Sequence, residues 1–389
     1  MPAGGGSSTR SGCTTSGRSN ERLALLLQRE AYLTMKASYL PPVSHVMPLT
    51  IVRRDRTLPI AGTVTARLNE RVQAVDVIAE AETAPRHVFL DLARGLGLSP
   101  KEAPNFLVRQ KGDRVEMGDT IAGPVGVARR TVRAPADGRI VAVDGSRVLF
   151  EVRGEPIVLR AGMPAMVVSS DGIQTVTLEA TAGLVQGIWG NGRMDFGVMR
   201  TLGSGPAARM QTDMLDINLR GAVLIGGMCD QPAPLHQATE LNVRGIVLGS
   251  ITSDLIPVAL RLTYPLVITE GFGSLPMNSA AYGLLTGHVG HDAAVDARPG
   301  DRYSYQRPEV IIPLPTNRQT DVPDDVIQLA PGVRVRVLRA PFHSAVGIVR
   351  DLPLKAADFP SGLLARSAAI EIEGLGNRLI PLANLEVIQ

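Results

Sequence analysis

Residues 107–123, LVRQKGDRVEMGDTIAG, and 129–152, RRTVRAPADGRIVAVDGSRVLFEV, decide how this chain is read. Gly112-Asp113 turns one short strand, and Gly118-Asp119 leads into the next through Thr120-Ile121-Ala122. Ala134-Pro135 with Gly138 opens a return. Glycine and aspartate at fixed offsets between apolar positions are turn chemistry joining short strands. The same phrase occurs earlier. NERVQAVDVIA (69–79) aligns with GDRVEMGDTIA (112–122), and Arg71/Arg114, Val72/Val115, Asp76/Asp119, Ile78/Ile121 and Ala79/Ala122 agree at one offset. LPIAGTV (58–64) likewise resembles APADGRI (134–140).

Two copies of a strand–turn–strand unit build a barrel-sandwich hybrid, each covering the apolar face that the other cannot. That fold is expected over 49–174, with a helical insertion at 84–106 between the copies. The pattern is similar to biotinyl and lipoyl carrier domains, which carry their cofactor on a lysine at a hairpin tip. The tips here, Pro59–Gly62 and Pro135–Arg139, hold no lysine, and Lys111 stands before the Gly-Asp turn. Arg139 cannot form the amide link. The barrel is therefore expected as architecture, with no attached cofactor.

Composition fits such a chain. Of 389 residues, 44% are hydrophobic and 4% aromatic, with 40 Gly and 28 Pro, suiting short strands and tight turns more than a helical bundle. A length of 389 residues leaves room for several domains. No apolar run has the length of a membrane helix. The formal net charge of +3 is too small for a nucleic-acid coat. Two cysteines, Cys13 and Cys229, supply neither a disulfide framework nor a metal quartet, and a reducing cytoplasm is expected. Residues 1–48 are expected as a polar tail with a short amphipathic helix at 21–34.

From 175 to 315 the texture changes. GAVLIGG (221–227), RGIVLGS (244–250) and PLVITEGFG (265–273) are short buried strands separated by helical stretches, which predicts a parallel sheet. EVIIPLP (309–315) is expected to join it. Ligands of open parallel sheets sit beyond the strands' carboxyl ends. The candidate ligand-binding residues are accordingly Gly227, Ser250, Thr269, Glu270, Gly271, Phe272, Gly273 and Asn278. Glycines there permit close backbone approach, Ser250 with Thr252 and Ser253 offers hydroxyls, and Glu270 is the only acid. The same residues also read as ordinary turns and caps. GLVQGIWGNGRMDFG (183–197) reads either as a binding lip of Trp189, Arg193 and Phe196, or as a hairpin turning at Asn191-Gly192. Six scattered histidines include His288-Val-Gly-His291, and no metal site is expected.

A linker at 316–328 precedes a last β unit, 329–389. GVRVRVLRAPFHSAVGIVRD (332–351) with LGNRLIPLANLEVI looks like a KOW motif in an SH3-like barrel, resembling the C-terminal domain of NusG transcription factors. The resemblance implies RNA or protein binding, through Arg334, Arg336, Arg339, Phe342 and Gly347. Seven basic against five acidic side chains in 329–389 are modest for phosphate binding.

Residues 50–315 as a whole resemble a family of uncharacterised bacterial and archaeal proteins combining an RnfC-type barrel-sandwich hybrid with an α/β domain. RTLPIAGTV, KGDRVEMGDTIAG, VRAPADGRI, LVQGIWGNG, VRGIVLGS and VITEGFGSLPM carry that resemblance. It implies, as a partner, an accessory ATPase resembling the actin-like protein of glutamate mutase. Iron–sulfur chemistry does not carry over, because the cysteines are missing. The expectation is a cytoplasmic, mixed α/β multidomain protein acting as a non-catalytic adaptor or accessory factor for a protein or ribonucleoprotein partner. Two alternatives stand: a small-ligand or enzymatic site at 269–273, and RNA binding by the last barrel.

Overall fold

The computed structural model describes residues 39–300, 306–314 and 320–389. The expected helix at 21–34, Cys13 and part of the 316–328 linker lie outside the described residues. The chain is mixed α/β and mostly strand. The described residues form two compact units, Val52–Ala180 and those up to Ile51 together with those from Thr181 to Gln389. Residues 181–315 and 329–389, expected in separate domains, thus share one unit.

In the 52–180 unit the repeat is structural. Arg71–Val72 and Arg114–Val115 are matching two-residue strands, followed by Val77–Glu82 and Thr120–Val125. The Asp76 carboxylate accepts from Gln73 N–H at 2.7 Å, and Asp119 accepts from Glu116 N–H at 3.3 Å. The preceding turns need a left-handed residue, supplied by Asn69 (φ 65) and Gly112 (φ 97). Val72, Ile78 and Ala79 are buried, as are Val115, Ile121 and Ala122.

The returns differ from expectation. Ala134 N–H donates to Asp119 C=O, and Gly138 pairs with Val115. In the first copy the same roles fall to Ala161, bonded to Asp76 C=O, and Ala165, paired with Val72. AGMPAMV (161–167), not LPIAGTV (58–64), is therefore the counterpart of APADGRI. Backbone pairing decides this where apolar spacing alone could not. The 84–106 stretch is also not wholly helical. Arg86–Asp91 is the outer strand of a four-stranded sheet, before the short helix Leu92–Leu96 and the turn Ala103–Phe106. Asp91 caps that helix, and Gly97 ends it at φ 69.

In the other unit, Leu266–Phe272, Gly245–Ile251, Ala222–Ile225 and Met194–Thr201 lie side by side and parallel. Alternate residues serve two cores. Ile246 and Leu248 pack with Leu235, Ala238 and Ala259, whereas Val247 packs with Ala281 and Leu285. Helices Pro232–Glu240 and Ile256–Ala259 thus cover one face and Ser279–Gly287 the other, so the strands are apolar throughout. Asp292–Asp296 joins antiparallel to Met194–Thr201, which makes the sheet mixed instead of parallel. Glu309–Pro313, antiparallel to Asp292–Asp296, runs in the direction of the four parallel strands without pairing with any of them. Residues 183–197 form no hairpin. Trp189–Gly190 pairs with Leu266–Phe272, while Met194–Thr201 pairs with Ala222–Ile225 and Asp292–Asp296.

The last segment builds a six-stranded sheet in the order Val43–Ser44, Leu385–Ile388, Arg334–Val337, Val346–Asp351, Ser367–Ile372, Gly376–Pro381. Val335, Val337, Val349, Ile370, Leu385 and Val387 fill its core.

Candidate functional site

The strand ends expected to hold a ligand are occupied by the chain itself. A Cβ on Gly227 would lie 2.5 Å from Ala208 C=O and 2.6 Å from Pro206 C=O. One on Gly249 would lie 2.4 Å from Met277 N. These glycines admit the protein's own backbone. The two crossing segments are tied together by Met277 N–H donating to Pro206 C=O at 3.0 Å. The Ser250 hydroxyl, fully buried, donates to Leu275 C=O and accepts from Leu275 N–H, both at 2.8 Å. Thr269 is fully buried too. Gly271 (φ 128) and Gly273 (φ 126) need their glycines for conformation. Phe272, 40% exposed, meets Trp189 edge-on at 5.7 Å between ring centroids. Among the candidates at the strand ends, it is the one that offers a sizeable exposed side chain.

Glu270 is engaged as well. Its Oε1 accepts from Asn278 N–H at 3.0 Å and from the Asn278 side-chain amide at 2.6 Å. Its Oε2 lies 2.9 Å from a guanidinium nitrogen of Arg336. Arg336, named from sequence as an RNA or protein-partner contact, is buried. It also donates to Thr269 C=O at 2.8 Å and to Glu386, the residue directly opposite on Leu385–Ile388. Glu386 in turn accepts from Arg307 at 2.6 Å. Burial works against the Arg336 charge, but Glu386 and Glu270 outweigh it and hold its pKa above the ordinary arginine value. Two arginines and two glutamates alternate through this network, so the enclosed charge balances.

The structure therefore joins two candidates that sequence placed in separate sites, and adds Arg307 and Glu386. The alternation VRVRV placed Arg334 and Arg336 together on a water-facing side. Arg334 is exposed, but the strand end at 269–270 covers Arg336. Arg339 is exposed and Phe342 half-buried, with the Arg378 guanidinium 5.8 Å above its ring. Gly347 is buried, and a Cβ there would lie 2.6 Å from Glu371 C=O, so its smallness serves strand pairing. Arg334 borders a cleft of ≈ 1010 Å³ that also includes Ser279, Glu371 and Glu373.

Asn191, expected in a turn, is a buried latch. Its amide donates to Ala259 C=O at 3.1 Å and Tyr264 C=O at 2.9 Å, and its oxygen accepts from Leu266 N–H at 3.0 Å. His288 and His291 stack edge-on at 5.7 Å, and the His288 Nδ1 lies 2.9 Å from Leu284 C=O. Among the described residues no group of three or more His, Cys, Asp or Glu is arranged to hold a metal, and none of the helices is long and apolar enough to cross a membrane.

No protein-family model matches this chain, and no curated protein matches it.

Proposed function

We propose that this chain is a non-catalytic adaptor or accessory factor. Its modules are a barrel-sandwich hybrid at 49–174, an α/β domain and a KOW-like SH3 barrel at 329–389. One observation carries this reading. Glu270, the acid at the strand ends, is committed to a buried pair with Arg336, while the protein's own backbone fills the space over Gly227 and Gly249. A substrate there would have to displace both. The α/β sheet then serves as a rigid base for the C-terminal sheet, and function falls to exposed surfaces binding a protein or ribonucleoprotein. An accessory ATPase of the glutamate-mutase type is one such partner.

The test is affinity capture of the tagged chain from its host, with and without RNase, read by mass spectrometry. A defined, RNase-resistant complex supports the adaptor. If Glu270→Gln removed a measurable small-molecule binding or turnover while the fold held, the adaptor reading would be lost.

A second reading, RNA binding by the last barrel, rests on exposed Arg334 and Arg339 and on Phe342 beneath Arg378. Arg336 takes no part in it. Replacing Arg334 and Arg339 with Ala then weakens RNA binding and flattens its salt dependence. Unchanged, salt-insensitive binding argues against it.

A further inference from the structure

The outer strand Arg86–Asp91 is exposed along most of its length, with Phe89 72% and Val88 39% accessible. Its inner side pairs antiparallel with Arg147–Val152, Leu90 opposite Val148 and Val88 opposite Phe150. Leu92 N–H donates to Ser146 C=O at 2.8 Å. Antiparallel ladders alternate, so Leu90, Val88 and Arg86 also turn their backbone groups inward. His87, Phe89 and Asp91 therefore point their N–H and C=O groups outward. Among the described residues no strand pairs with that edge. Such an edge is a template for another strand.

The edge is self-complementary. Strand alternation puts the side chains of His87, Phe89 and Asp91 on one face, beside Glu151, Leu149 and Arg147. Laid antiparallel on a second copy with Phe89 opposite Phe89, His87 meets the second copy's Asp91 at each end. On the other face Val88 meets Leu90. In this register every outward backbone group of the three residues meets its mate and the aromatic rings pair. Each His87 ring, 3.4 Å from its own Glu151, is set between that carboxylate and the second copy's Asp91, whose Oδ1 also accepts from Arg94 N–H. A shift by two residues in either direction breaks the His87–Asp91 pairing at both ends.

We propose that a second copy of this chain docks on Arg86–Asp91, making a symmetric dimer in which two four-stranded sheets become one continuous sheet. The chain itself carries the acid, aromatic and imidazole in the order that this edge requires, which selects a second copy over an unrelated strand. Two-fold symmetry also closes the edge on both protomers at once. The dimer does not depend on the adaptor reading.

Sedimentation velocity on the full chain tests it. The expected species has twice the 41.3 kDa chain mass. Phe89→Pro removes one outward donor and no inward bond, so it should yield a monomer with an unchanged far-UV spectrum. His87→Asp sets like charges opposite and should weaken the dimer. Adding Asp91→Asn to it, which relieves the repulsion and still caps the helix that follows, should restore association. Should Phe89→Pro fail to fold, Phe89→Cys in a Cys13→Ser background serves instead. Opposed Cα atoms in such a pair lie about 5.5 Å apart, within disulfide reach, and mild oxidation should give a covalent dimer. A wild-type chain that stays monomeric at tens of micromolar overturns the proposal. So does a dimer that Phe89→Pro leaves intact and Phe89→Cys does not cross-link. A monomer whose edge amides gain exchange protection only in host extract assigns the edge to another chain, and equally overturns it.

Discussion

Arg336 of the C-terminal sheet reaches Glu270 at the end of the α/β strand Leu266–Phe272, with 2.9 Å between nitrogen and oxygen and both side chains buried. Glu386 sits opposite Arg336 on the neighbouring strand and accepts from it too. One guanidinium thus satisfies two carboxylates and the Thr269 carbonyl, and joins the sheet that runs through 266–272 to the sheet at 334–337.

Removing one member of a buried ionic network leaves uncompensated charge, which is worse than never having enclosed it. Arg336→Met should cost about 3–5 kcal/mol in urea unfolding. Combining it with Glu270→Gln and Glu386→Gln should recover most of that loss. Equal midpoints for the single and triple variants would show that the network carries no coupled charge.

Asn191 satisfies two carbonyls and one N–H, all buried. Asn191→Ala should destabilise by about 2–3 kcal/mol, because those backbone groups are left without partners. Trp189, the only tryptophan, lies two residues away and reports the transition by fluorescence. A change below about 0.5 kcal/mol would mean that water replaces the amide at no cost.

Gly347 admits the neighbouring strand. Gly347→Ala brings a methyl within 2.6 Å of both Glu371 C=O and the Ile370 side chain. Overpacking of this kind should cost about 1–3 kcal/mol, read as a lowered melting temperature. No shift would mean that the Val346–Asp351 and Ser367–Ile372 strands separate freely.

Asp171 accepts from the backbone N–H groups of Gln174, Thr175 and Ile173, which hold its carboxyl below the usual aspartate range. The folded pKa is depressed, so the stabilisation is present above the unfolded value of about 3.9 and is lost as pH falls through the folded value. Asp171→Asn should therefore lower the melting temperature at neutral pH, with the gap to wild type closing in acid. A gap constant with pH would place the effect elsewhere than in the charge.

The Gly-Asp repeat was legible in the sequence because each turn is local. A left-handed residue, an aspartate three positions on from the N–H it accepts, and buried apolar neighbours all lie within a dozen residues, and Asn69–Ala79 and Gly112–Ala122 fold alike. The apolar runs at 222–225, 245–251 and 266–272 were legible for a similar reason, since strands covered on both faces have no polar alternation. Their direction was not. Asp292–Asp296, buried from Ala293 to Asp296, is inserted antiparallel between Met194–Thr201 and Glu309–Pro313, and side-chain pattern does not encode direction. Arg86–Asp91 read as part of a helix because RHVFLDLARGL suits either period, and pairing with Arg147–Val152 decided the matter.

What the sequence by itself determined was the repeated Gly-Asp turn unit and the apolar strands, both properties of neighbours along the chain. Only the tertiary structure decided what Glu270 and Arg336 do. Alternation makes Arg336 a surface residue and strand-end position makes Glu270 a ligand group. Their 66-residue separation in sequence is closed by the packing of one sheet on another, which takes both charges out of water and leaves each as the other's partner.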